Sequence, residues 1–452
     1  MKTLYKTLLL ITIISSLGSC KKYLDLKPDK KQVIPESLLD CQALLNHVEL
    51  LSGGYPRAGE VSSDDYTLTL TVWNAQRPED REPYIWQSDA NINFTDWANP
   101  YSRVLVANQV LETLEKIHPN STEQGQWNRV RGAALLLRGI TFYTLSQIFT
   151  KPYDNNTSRQ DLGIPLPLSP SISEKTDRGT VQKTYDRIIA DLKEASTLLP
   201  LERPDGPASR SISLPVKAAA HAALARVYLT IGDYNNAFLN ADACLNQYNE
   251  LMNYGLLNPA LSFPIPQFNT EVLYHLTAVG AIPLSRGRVT KSLYDSYQEG
   301  DYRKKVCFRL REQGTYTFKG TYSPGEIFWG LATNEVYLIR AECAARSGNT
   351  LAAIADLNTL VKTRWDNTFV PFTAANSNEA LNLVLAERRK ELPFRSLRWT
   401  DLRRLNKEGR LNGTLTRELD GQTYILPPND PRYTLLIPRE VLEREPLPQN
   451  PR

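Results

Sequence analysis

Histidine and cysteine are scarce in this chain, at four and five residues among 452. Beyond Cys20 the thiols stand at Cys41, Cys244, Cys307 and Cys343, too far apart for any Cys-x-x-Cys pair. No metal site is encoded locally, and no metal or other cofactor is expected. Blocks of basic residues are also missing: the formal charge is only +4, spread along the chain. Phosphate binding needs clustered Lys and Arg, so nucleic acid is not an expected partner. There is no Gly-x-Ser-x-Gly elbow, no phosphate loop, no His-Glu-x-x-His, and no recognisable Cys–His nucleophilic pair. These absences remove the common motif-bearing enzymes. They leave open an acid–base glycosidase, whose two carboxylates can lie far apart in sequence.

No apolar run reaches the roughly 20 residues needed to span a bilayer. The run from Thr7 to Leu17 is interrupted by Thr12, Ser15 and Ser16, follows Lys2 and Lys6, and ends in Leu17-Gly18-Ser19-Cys20. That pattern is a signal peptide over 1–19, and its end resembles a bacterial lipobox, in which the cysteine thiol carries a diacylglycerol. Cys20 is therefore the expected lipidation site, and 20–452 the expected exported, membrane-anchored chain. Loss of Lys2 and Lys6 lowers its formal charge to +2. A composition of 41% hydrophobic and 23% charged residues is that of a globular protein with a sizeable core. Cys244 and Cys343 sit in helical patterns where a small apolar residue packs, and read as core thiols.

What is present is a repeat. Ala225, Tyr228, Gly232, Tyr234, Ala237 and Cys244 recur at identical offsets as Ala341, Ala344, Gly348, Thr350, Ala353 and Leu360. This resembles the tetratricopeptide repeat: alanines let facing helices approach, and Gly232 and Gly348 supply the left-handed turn that ends the first helix of each pair. Helical pairs are expected near 217–246 and 335–362. A third, near 130–199, has its turn replaced by the proline-bearing loop Thr150 to Thr180. A further apolar stripe marks a helix from Arg103 to Ile117. Tyr55 to Asn99, Asn253 to Ala332 and Asn406 to Arg452 have little helical period and read as loop layers. The fold expected is mostly α, one domain of tetratricopeptide-like hairpins forming a scaffold, with long irregular loops and minor β.

Several segments carry a family likeness in order along the chain. They are Cys20-Lys-Lys-Tyr-Leu-Asp-Leu-Lys-Pro, Ser63-Asp64-Asp65-Tyr66, Trp97 to Leu111 with Tyr101 and Ala107-Asn108, Gly163-Ile-Pro-Leu166, Tyr185 to Ala195, Glu335 to Glu342, Glu387-Arg-Arg-Lys-Glu-Leu392 with Arg398-Trp-Thr-Asp-Leu-Arg403, Leu436-Ile-Pro438, and Gln449-Asn-Pro451. The chain resembles the SusD/RagB family of Bacteroidetes outer-membrane lipoproteins over nearly its whole mature length. Phe394-Arg395-Ser396 departs from the family's more usual Phe-Glu-Gly turn. The resemblance implies a non-enzymatic, lipid-anchored subunit facing the cell exterior, which captures glycans, or in some members peptides, for a SusC-like TonB-dependent outer-membrane transporter.

Two residue groups bear on that implication. Glu387 and Glu391 stand i and i+4 on one helix face, a spacing that could serve catalysis. Leu381, Val384, Leu385 and Leu392 form the apolar stripe beside them, which turns Arg388 toward the core, where it needs an acidic partner such as Glu342 or Asp401. Structural ion pairs explain the block. The second group is Asp65, Trp73, Asn74, Arg77, Arg81, Tyr84 and Trp86, joined by Tyr316, Tyr322 and Trp329. Rings that stack on sugar C–H faces, beside amides, carboxylates and guanidinium groups that take hydroxyls, make a glycan site, with Trp73 and Trp329 its main rings. A peptide- or protein-binding helical scaffold and a secreted glycan-cleaving enzyme are the alternative readings.

Overall fold

The computed structural model describes residues 35–171, 173–202, 214–278, 282–411 and 413–452. The signal peptide and Cys20 lie outside the described residues. Among the described residues nine helices build the scaffold: α1 (Thr95–Lys116), α2 (Gln124–Phe149), α3 (Val181–Leu198), α4 (Lys217–Ile231), α5 (Tyr234–Gln247), α6 (Thr333–Arg346), α7 (Thr350–Lys362), α8 (Ser377–Glu391) and α9 (Arg398–Lys407). They pack as consecutive pairs, α1 on α2, α2 on α3, α4 on α5 and α6 on α7, with α8 closing on α6. None of the described helices is long and apolar enough to cross a membrane.

The middle of this stack is α4, whose sequence Lys-Ala-Ala-Ala-His-Ala-Ala-Leu-Ala buries six alanines. Side chains that stop at Cβ allow α3, α5 and α6 to approach it from different sides. Gly232 at φ +80° and Gly348 at φ +87° end α4 and α6. At each, two amides fold back on the helix: Gly232 N on Leu229 O with Asp233 N on Tyr228 O, and Gly348 N on Ala345 O with Asn349 N on Ala344 O. The next residue starts the partner helix, because the side chains of Asp233 and Asn349 accept from the amides of Asn236 and Ala352. The repeat seen in the sequence is thus a turn-and-cap unit used twice. Cys244 and Cys343 are buried thiols in these pairs, and burial pushes both above the usual thiol range.

Two boundaries differ from the sequence reading. Helix α1 starts at Thr95, eight residues before Arg103, because Pro100 falls early in the helix and hides its onset. The 150–180 loop is ordered by a short ladder, Leu162–Pro165 with Arg178–Thr180. Arg178 fastens it, donating to Gly163 O, Phe149 O, Leu162 O, Pro448 O and Asn450 Oδ1.

A Gly348→Ala substitution should destabilise the protein by about 1 kcal/mol, since nothing crowds the position and only the left-handed φ opposes a Cβ. Gly125→Ala, in the first turn of α2 with ordinary φ and open space, should stabilise by a few tenths of a kcal/mol or be neutral. Chemical denaturation that gave both variants the same sign would contradict this account.

Candidate ligand-binding site

Above the scaffold the loop segments carry a core of their own, in which Tyr66, Tyr84, Tyr254, Tyr297, Tyr322, Phe328 and Phe394 meet. Two ladders organise it. Strand β1 (Tyr66–Thr67) pairs antiparallel with β2 (Arg288–Val289), and β3 (Phe308–Leu310) with β4 (Tyr316–Phe318), while β2 lies against β4. The pairing brings segments more than two hundred residues apart in sequence to one edge. The five-residue helix Leu70–Asn74 follows β1 and sets Trp73 half-buried on this core, with Asn74 and Arg77 exposed. Trp73 Nε1 donates to Arg81 O at 2.9 Å, and the Arg81 guanidinium lies 5.6 Å from the indole centroid. On the paired segments Tyr316 stacks on Tyr294, ring centroids 3.5 Å apart and planes within 14°. The sequence reading missed Tyr294, which sits in a helix too short to show a period.

Other rings expected in the site lie elsewhere. Trp329, 1% exposed, donates Nε1 to Pro56 O at 2.7 Å, and it packs in the main core; this corrects the expectation of a stacking face there. Trp86, 3% exposed, donates to Ser62 O, and Arg417 covers its ring at 4.7 Å. Arg417 lies 3.6 Å from the ring of Tyr84, whose hydroxyl accepts from Leu68 N. Tyr322 is buried between Arg395 and the hydrogen-bonded Glu271 and Asn334. Asp65 is buried and accepts from Arg389 at 3.1 Å, beside Asp64, which takes a two-pronged contact from Arg398 at 2.7 and 2.8 Å. In this conformation Trp73, Asn74, Arg77, Arg81 and Tyr316 are the sequence-derived candidates that reach solvent.

The carboxylates of α8 are neutralised. Arg303 reaches Glu387 at 2.8 Å and Glu391 at 3.0 Å, and Glu391 also receives Arg364 at 2.7 Å and Asn334 at 2.8 Å. Burial alone would raise the Glu391 pKa, but Arg364 and Arg303 override it and hold it at about 2. Arg388 donates to Asp401 at 2.9 Å. Asp401 is also held by Arg404, which clasps Glu342 at 2.6 and 2.9 Å. Of the two acidic partners considered for Arg388, Asp401 is the direct one and Glu342 is linked through Arg404.

The family model described as "Starch-binding associating with outer membrane" matches residues 22–229, and that of the SusD family matches 332–433. The chain belongs to the SusD/RagB family. SusD-like protein P2 of Formosa agariphila is 24% identical over 489 aligned positions, covering 89% of this chain and 90% of that protein. A SusD superfamily protein from Bacteroides thetaiotaomicron superposes with a TM-score of 0.74 at 21% identity, covering 92% and 100% of the two chains. Surface glycan-binding protein A from Bacteroides fluxus gives 0.70 at 16% identity, covering 92% and 100%.

The departure from the SusD/RagB turn at Phe394-Arg395-Ser396 has a local account. Phe394 and Ser396 take φ of +54° and +55°, so Ser396 stands in a left-handed position that favours glycine. Its amide donates to Glu60 Oε2 at 2.7 Å, which holds the turn down. Among the described residues no basic side chain pairs with Glu60; burial, then Asp65 nearby, push its pKa up to about 8.

Two outcomes are expected. Arg388→Ala leaves Asp401 with less compensation in the core and should lower stability by about 3 kcal/mol or more while leaving ligand affinity intact in the folded fraction; an unchanged melting temperature with lost binding would reassign Arg388 to the site. For Glu60, the folded protein keeps the proton from the ordinary 4.5 up to about 8, whereas the unfolded chain releases it at about 4.5. Stability therefore falls as pH rises through that window. Glu60→Gln should flatten this part of the pH–stability profile, and a variant profile as steep as wild type would refute the role given to Glu60.

Proposed function

We propose that the protein is a cell-surface glycan-binding lipoprotein, anchored in the outer membrane through Cys20, which captures oligosaccharides and passes them to a SusC-like TonB-dependent transporter without cleaving them. The observation that carries this reading is the half-buried rim of the loop-layer core, on which Trp73, held by Arg81 and followed by the exposed Asn74 and Arg77, and the stacked Tyr294–Tyr316 pair both pack. A sugar ring lays its C–H face on such rings, and amides and guanidinium groups take its hydroxyls. Family membership and the names of relatives, such as the surface glycan-binding protein of Bacteroides fluxus, support the same class of ligand. Capture without turnover is consistent with Glu387 and Glu391, whose negative charge is matched by Arg303 and Arg364.

A subunit that hands its ligand on gains nothing from slow release, so dissociation constants between about micromolar and millimolar are expected, roughly −8 to −4 kcal/mol. Calorimetry against an oligosaccharide panel should show Trp73→Ala weakening binding about tenfold with the fold intact. Trp329→Ala, in contrast, should destabilise the fold by about 3 kcal/mol or more. Product formation by the pure protein on prolonged incubation would end the capture reading, and unchanged affinity in the Trp73 variant would move the site elsewhere.

A further inference from the structure

A pocket of about 500 Å³ that shares no residue with the Trp73 edge opens between residues 50–54, the first turns of α1 and the segments around 268, 275 and 326. Gly54, Asn99, Arg103, Phe268, His275 and Glu326 are on its wall. Arg103 is 3% exposed, and no carboxylate among the described residues pairs with it. Its Nε donates to Leu51 O at 3.2 Å and its guanidinium lies 4.6 Å from the Tyr55 ring centroid, but Nη1 has no hydrogen-bond partner. Two other buried arginines without a carboxylate are better compensated, Arg178 by five oxygen acceptors and Arg403 by the carbonyls of Gln147 and Thr150 at the C-terminal end of α2. Arg395 and Arg417 also have one oxygen acceptor each and lie against rings; what distinguishes Arg103 is its place on the wall of this pocket. A buried cation with one carbonyl is a deficit that an incoming anion can remove.

His275, on the same wall, is only partly satisfied, through a hydrogen bond with the main chain of Tyr322. It is buried, its ring is held between Phe268 at 4.6 Å and Phe328 at 5.6 Å, and its Nε2 has no partner. Burial pushes its pKa down to about 4, so at neutral pH the ring is uncharged. Phe268 takes φ +55°, a strained conformation for a bulky residue, and it sits on this same wall.

We propose that this pocket takes an acidic sugar unit, with its carboxylate or sulfate ester against the Arg103 guanidinium and a neighbouring hydroxyl on the side of the His275 imidazole. The inference deepens the glycan-binding reading by naming a charged ligand class. It uses residues distinct from the Trp73 edge, so Trp73→Ala and Arg103→Met report on the two independently.

The test is calorimetry and thermal melting with glucuronate, glucose 6-sulfate, glucose and inorganic sulfate. One or both charged sugars should bind about tenfold or more tightly than glucose, and Arg103→Met should abolish that preference. Whichever of the two binds better identifies the anion. Without ligand, Arg103→Met should melt at or above the wild-type temperature, since an apolar chain replaces an uncompensated buried charge. Equal binding of charged and uncharged sugars, a preference retained in Arg103→Met, or inorganic sulfate binding as tightly as the sugars would each overturn the proposal. Glu326→Gln should leave the preference intact or strengthen it; its loss there would make Glu326 part of the site chemistry and overturn the assignment. If Arg103→Met fails to fold, the wild-type comparison of the four probes still decides.

Discussion

A buried charge is tolerable only when its counter-charge arrives in good geometry, and this constraint joins the loop layer to the helices. Glu391, on α8, receives Arg303 from the loop layer, Arg364 from the end of α7 and Asn334 from α6. Arg364 also holds Glu271, which in turn accepts from Met252 N, so the segment after α5 is tied to the same point. A second chain of pairs runs from Arg388 through Asp401 and Arg404 to Glu342, joining α8, α9 and α6, and Arg226 with Glu335 adds α4. Apolar contacts alone permit sliding between surfaces. A set of interlocked two-pronged ion pairs does not, because any displacement strands a charge in the core.

That lock explains how an aromatic-rich layer made of two- and three-residue strands can hold defined ring positions. Ladders this short are too weak to stand alone. Here Arg389 and Arg398 fix Asp64 and Asp65 immediately before β1, and the main chain of Asp65 accepts from Thr290 N just after β2. The ladder from which the Trp73 and Tyr294 segments depart is therefore anchored to the scaffold. Glu60 contributes in the opposite sense: it restrains the strained Ser396 turn through one hydrogen bond, yet no cation among the described residues compensates its own burial.

The scaffold was legible in the sequence because its determinants are local. Gly232 and Gly348 announce left-handed turns, the alanines of α4 announce close packing, and the apolar stripe of α8 forces Arg388 inward to an acid. The loop layer was not legible for the converse reason. Trp329 is core because its indole meets Pro56, 273 residues away, and nothing in either neighbourhood encodes that meeting. Trp73 stands among polar neighbours in Thr71-Val-Trp-Asn-Ala-Gln76, whereas Trp329 lies in the apolar run Ile327-Phe-Trp-Gly-Leu331, a local hint of burial. The long-range meeting with Pro56 supplies the acceptor that lets the indole be buried.

The same reasoning separates arginines that hold the fold from one that awaits a partner. The sequence contains many arginines near apolar stripes, and each could be predicted to be paired. In the structure Arg388, Arg404, Arg303, Arg364 and Arg226 meet carboxylates, Arg178 and Arg403 meet rows of carbonyls, and Arg417 sits among the rings of Tyr66, Tyr84 and Trp86. Arg395, like Arg417, has one oxygen acceptor and flanking rings, and Arg103 meets one carbonyl and one ring but stands on the wall of a cavity. Were its burial a packing accident, selection for stability could remove the charge with an apolar chain of similar length, at little cost to the helix it sits on. A guanidinium at such a disadvantage on a pocket wall makes physical sense when the disadvantage is reversed on binding, because an anion gains more from a charge held at the edge of the low-dielectric interior than from one at the surface.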